Sequence, residues 1–99
     1  MQNHANQQRC YDLITETTRL RMAIEEQEVR EGLVARLDAA RLWVRFHRAM
    51  VELLALTPAH DREGARRQKV TADGHEAQQL AWGRMIEQLE EQAALERQA

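Results

Sequence analysis

The sequence predicts an all-α fold, an antiparallel three-helix bundle, and three observations lead there. The 99-residue chain holds four glycines, one proline and no serine, while Ala, Leu, Glu, Gln and Arg abound. Such residues lose little side-chain freedom in a helix. Apolar residues recur at helical spacing in three segments, about 6–30, 33–56 and 74–97. Each segment is about 24 residues, roughly 36 Å long, and matched lengths suit helices packed side by side. Residues 1–99 read as a single helical domain.

In the first segment Cys10, Leu13, Thr17, Leu20, Ile24 and Gln27 recur at alternating spacings of three and four. That is one narrow seam, like the contact line of a coiled coil. Asn3 or Asn6 is the expected N-terminal cap. Tyr11, Met22 and Val29 fall on the opposite side and point to a second, weaker contact. Gly32 is the expected stop, because a glycine just past a helix end adopts the left-handed region at little cost. A straight helix through Gly32 would rotate the apolar stripe by roughly 80–90° between its halves. That jump favours two helices, with one kinked helix through Gly32 as the alternative.

The second segment contains RLWVRFHRAM, residues 41–50. On a helix Arg41, Arg45 and Arg48 share a face with Asp38 and Glu52, while Trp43, Phe46 and Met50 lie opposite. Asp38–Arg41 and Arg48–Glu52 are expected to pair along the helix. The apolar residues from Leu37 to Leu54 span roughly 220°, well beyond the stripe of a surface helix. This helix must be covered on more than one side. A surplus wider than two neighbours can cover calls for a second copy or another protein, with Trp43, Phe46, Met50 and Leu54 as its interface.

Residues 57–73 read as a polar connector in which Thr57 and Pro58 could open a short surface helix near 58–68. Asp73 and Glu76 resemble a capping box at the start of the last helix. There Trp82, Met85, Ile86, Leu89 and Ala93 form a compact stripe.

The net charge of −2 is unevenly distributed. Residues 30–69 carry nine cations against five acids, and residues 70–99 carry two against six. The connector's Arg62, Arg66, Arg67 and Lys69 form the one basic cluster with few local acids. They are the candidate electrostatic contact for an acidic protein surface or for nucleic acid. No aromatic lies among them to stack on bases.

Catalytic chemistry finds little support. The lack of serine removes a serine nucleophile. Cys10 occupies a seam position that suits a small buried thiol. The glycines are isolated and form no phosphate loop. His60-Asp61 and His75-Glu76 lack the tight spacing of a zinc or di-iron motif. The sequence therefore implies no enzyme, no cofactor, no metal and no small-molecule substrate. It carries no membrane span and no signal peptide, which points to the cytoplasm.

The expected function is that of a non-enzymatic helical interaction protein, an adaptor or inhibitor. Its partner would be a protein or a nucleoprotein complex, and it would be a homodimer. The alternative is a small nucleic-acid-associated regulator using residues 62–69. No family motif is present. The short, helical, arginine-rich profile resembles small phage or mobile-element proteins, including anti-CRISPR-type inhibitors of host complexes. That resemblance implies function through surface complementarity rather than through a catalytic constellation.

Overall fold

The computed structural model describes residues 2–98, with side chains from His4 onward. Three helices follow one another: α1 (Gln2–Glu28), α2 (Leu33–Leu56) and α3 (Arg62–Gln98). They form a three-helix bundle in which α2 is the middle element. It packs against α1 along one side and against α3 along another, whereas α1 and α3 make no close backbone approach to each other. The molecule is elongated, 56 × 23 × 22 Å. Its long dimension is the length of α3, since 37 residues extend about 55 Å.

α1 buries the expected seam. Leu13, Thr17, Leu20 and Ile24 are buried, and Cys10 and Gln27 are half-buried. The polar member at the centre is satisfied locally: the Thr17 hydroxyl donates to the Ile14 carbonyl at 3.0 Å, so its burial leaves no orphaned group. The helix starts before Asn6, which lies inside it rather than at its cap. The side chain of Asn3 lies outside the described set.

α1 and α2 are separate helices, not one kinked helix. The chain turns over 29–32, and Gly32 takes φ 105° and ψ 167°. Only glycine visits that region at low cost. Gly32 therefore acts at the start of α2 rather than as the stop of α1, and its carbonyl accepts the Arg36 N–H at 3.1 Å.

α3 departs most from the sequence reading. The short helix near 58–68 and the helix from 74 are one continuous helix, and the connector shrinks to 57–61. Three features carry the helix across 62–74. Asp61 caps it, its Oδ1 accepting the Gly64 N–H at 2.7 Å. Glu63–Arg67 and Lys69–Asp73 form i,i+4 pairs. Gln68 reaches across to α2, where its Nε2 donates to the carbonyls of Leu54 at 3.1 Å and Thr57 at 2.7 Å. Those carbonyls terminate α2 and have no partner within that helix. Asp73 is thus a mid-helix residue and not a cap. Thr57 ends α2 instead of opening a helix, its hydroxyl donating to the Leu53 carbonyl at 2.7 Å.

The continuous α3 and the Gly32 turn set the expected outcome of three substitutions. A Cβ at Gly74 would meet nothing within 4 Å, so Gly74→Ala should raise stability by about 0.5–1 kcal/mol as a mid-helix replacement. Gly32→Ala should instead lower it by about 1–3 kcal/mol, because the positive φ is strained for alanine. Thermal melts of both variants provide the check, and a Gly74→Ala protein no more stable than the parent would place Gly74 outside a helix interior. Gln68→Ala should cost about 1–2 kcal/mol by stripping two helix-end carbonyls of their donor, as read from urea unfolding.

Candidate protein-binding surfaces

The four α2 residues expected at an interface separate into two places. Phe46 is buried in the core beside Leu20 and Ile24, and Trp43 and Met50 pack on that cluster. Leu54 lies half-buried toward the end of α2 where Gln68 crosses from α3. α1 and α3 share the wide apolar sector of α2, burying Phe46 and half-covering Trp43, Met50 and Leu54. Arg41, Arg45 and Arg48 are exposed, as the helical wheel requires. Asp38 pairs with Arg41 at 4.0 Å, and Arg41 also reaches Glu90 of α3 at 3.8 Å. Glu52 does not pair with Arg48. It takes a two-pronged ion pair from Arg9 of α1, with Nη2 2.8 Å from its Oε1. That guanidinium holds the Glu52 carboxyl below the usual carboxylate range.

An aromatic stack joins α2 to α3. The Trp43 and Trp82 rings lie 5.7 Å apart and 8° from parallel. Trp43 also stacks on His47 at 5.4 Å and meets Phe46 edge-on at 5.6 Å. His47 and His75 bring their Nδ1 atoms to 2.8 Å, so one ring donates and the other accepts. From α1, the Arg21 guanidinium lies 5.9 Å from the centre of the Phe46 ring, within cation–π range. Sequence reasoning placed Trp82 on the packing stripe but did not bring His75 and Trp82 to α2. Trp43 and His47 are four residues apart but Trp82 and His75 are seven, so spacing alone does not signal this pairing.

Beside this stack lies a groove of about 310 Å³. Ala35, Ala39, Trp43, Trp82, Met85 and Leu89 form its apolar lining, and Arg30, Arg36, Gln27 and Glu28 stand at its rim. Small alanines on α2 at the end of α1 leave room that larger residues would fill.

The basic cluster of residues 62–69 is exposed on the first turns of α3. Because Gln68 is level with the end of α2, residues 62–67 project beyond it. Arg67 is paired with Glu63 at 2.9 Å and Lys69 with Asp73 at 3.6 Å. Among the described residues Arg62 and Arg66 have no ion-pair partner within the chain. The cluster is therefore half compensated, and the helix that carries it also carries the acids that compensate it.

The outward face of α1 is of a different kind. Tyr11 is 69% exposed, Ile14 50%, Met22 65% and Val29 82%. Tyr11, Ile14, Thr18, Met22 and Glu25 form one row at spacings of three and four, turned away from α2, and Val29 follows in the turn just past the helix end. Glu25 is the single charge in that row, in a chain that is 30% charged. No described helix is long and apolar enough to cross a membrane. Among the described residues no three or more His, Cys, Asp or Glu side chains are grouped to hold a metal ion.

His47 is a buried histidine whose pKa is lowered, first by burial and then by the charge of His75. The unfolded chain, with an ordinary histidine pKa near 6.5, binds a proton more readily than the folded one. Stability should thus be complete above about pH 7 and fall as the pH drops through 6.5 toward the depressed native value. Melting temperatures at about pH 7.5 and 5.0 should differ in that sense, and His47→Leu should shrink the difference. An unchanged pH dependence in the variant would assign it to other groups.

Compared with known protein families, curated proteins and solved structures, the chain shows no match.

Proposed function

We propose that this chain is a non-enzymatic helical interaction module, of the adaptor or inhibitor type, that binds another protein through the outward face of α1. One observation carries this reading: Tyr11, Ile14 and Met22 form a solvent-exposed row on α1 with Glu25 as its single charge, and Val29 stands exposed in the turn just past the helix end. Water meets this row over residues 11–25 of the 27-residue helix. Exposed apolar rows of that extent mark interaction surfaces, and a helix face read at spacings of three and four fits a groove or another helix. Met and Tyr are also among the types enriched at interface centres.

This reading moves the expected contact from α2 to α1. Trp43, Phe46 and Met50 support it indirectly, by fixing α1 against α2 through the core. The nucleic-acid reading rests on Arg62 and Arg66 alone once Arg67 and Lys69 are paired, and a phosphate backbone asks for more uncompensated charge than that.

The test is capture of partners by the wild-type chain and by the Tyr11→Glu/Met22→Glu variant, with nuclease treatment in parallel. Both substituted side chains are exposed, so the fold should be kept, as circular dichroism will verify. A protein bound by the wild type and lost by at least tenfold with the variant supports the reading. Equal capture by both chains removes α1 from the interface. A nuclease-sensitive complex that depends on Arg62 and Arg66 instead favours the nucleic-acid alternative.

A further inference from the structure

The outward face of α3 carries charges in an order that is complementary to its own reverse. Taking Asp73 as 0° and 100° per residue, Arg62, Arg66, Lys69, Ala77, Leu80, Arg84, Glu87, Glu91 and Leu95 all fall between about −40° and +40°. All are exposed. Trp82, Met85, Leu89 and His75 face α2 from the other side of the helix, at about 120–200°. Between residues 66 and 91 the charged members of the row run plus, plus, minus, plus, minus, minus, and Arg62 lies beyond that stretch, opposite Leu95 in the reversed order. Reversed, the same row runs minus, minus, plus, minus, plus, plus, which is opposite in sign at every position.

We infer that this face is a self-association surface on which a second copy of the chain docks antiparallel along α3. With the two-fold axis between residues 78 and 79, Arg66 faces Glu91 of the second copy and Asp73 faces its Arg84. Lys69 comes beside its Glu87, and Ala77 packs on its Leu80. Each contact occurs twice, as two-fold symmetry demands. The row from 66 to 91 is about 38 Å long. Leu80, 65% exposed in the single chain, supplies the apolar centre.

Two further observations support this occupant. A parallel pair would place Arg66, Asp73, Arg84, Glu87 and Glu91 each against its own like charge, so the pattern selects the antiparallel arrangement. Among the described residues Arg66, Arg84, Glu87 and Glu91 have no ion-pair partner in their own chain. Asp73 is shared with Lys69 of the same helix at 3.6 Å, which leaves its second oxygen for Arg84 of the second copy. The surface is independent of the outward face of α1, and either can operate without the other.

Sedimentation equilibrium of the full chain tests the proposal. The wild type should dimerise, more weakly at about 500 mM than at about 50 mM salt, since exposed pairs are screened. Arg66→Glu alone and Glu91→Arg alone should each weaken the dimer roughly tenfold, because each reverses two symmetric contacts of modest strength. Arg66→Glu/Glu91→Arg in one chain should restore it to within about twofold, since the swapped charges again face each other. Residues 66 and 91 are too far apart for that rescue to arise within one chain. Asp73→Arg/Arg84→Asp provides a second swap if either first variant folds poorly. A monomer at low salt, a dimer indifferent to the single reversals, or singles that the double variant fails to rescue would overturn the proposal.

Discussion

α2 has an apolar surface too wide for one neighbour, and the rest of the molecule is arranged around covering it. Leu42, Phe46 and Ala49 belong to the side that meets α1, where Leu20 and Ile24 complete the core. Trp43 and His47 belong to the side that meets α3, where they stack on Trp82 and pair with His75. A small domain has little apolar area to spare. Here a central helix flanked by two others buries Leu13, Leu20, Ile24, Phe46 and Leu89 and half-covers Trp43, Met50 and Trp82 without requiring the outer two to touch. The consequence is an elongated body whose outer helices keep their own outward faces.

Those outward faces differ in chemistry because the helices meet α2 through narrow stripes. α1 spends Leu13, Thr17, Leu20 and Ile24 on the core and leaves Tyr11, Ile14 and Met22 in water. α3 spends Trp82, Met85 and Leu89 and leaves a row of charges ordered along its length. A helix needs only about a third of its circumference for packing, so the remainder is free to carry recognition. The polar groups that are buried are few and satisfied. The Thr17 hydroxyl bonds within its own helix, and His47 bonds to His75.

Much of the fold was legible in the residues. The seam of α1 follows from its spacing, and the two-faced character of residues 41–50 follows from 100° per residue. The start of α3 was not legible, because the local Asp61 cap competes with a second start signal and the Gln68 contacts are made with α2. Gly74 and the polar run before it lower local helix preference, and Asp73-Glu76 imitates a start signal. What carries the helix through is the Asp61 cap together with Gln68, which satisfies two carbonyls on α2. The Glu52 pairing was misread for a related reason. A local partner, Arg48, is available, but Arg9 of α1 approaches with two-pronged geometry that an i,i+4 neighbour does not match.

The candidate surfaces divide in the same way. Composition and periodicity by themselves determined that the chain is helical, that Arg41, Arg45 and Arg48 face water, and that Tyr11, Met22 and Val29 are separate from the main seam. Only the tertiary structure decided which apolar residues remain exposed. Periodicity specifies a face but not its neighbour, so the sequence assigned the surplus to Trp43, Phe46, Met50 and Leu54. Packing against two helices buries Phe46, half-covers Trp43, Met50 and Leu54, and leaves the outward rows of α1 and α3 in solvent. The physical reason is that burial depends on which faces meet, and that is a sum over contacts between residues far apart in the chain.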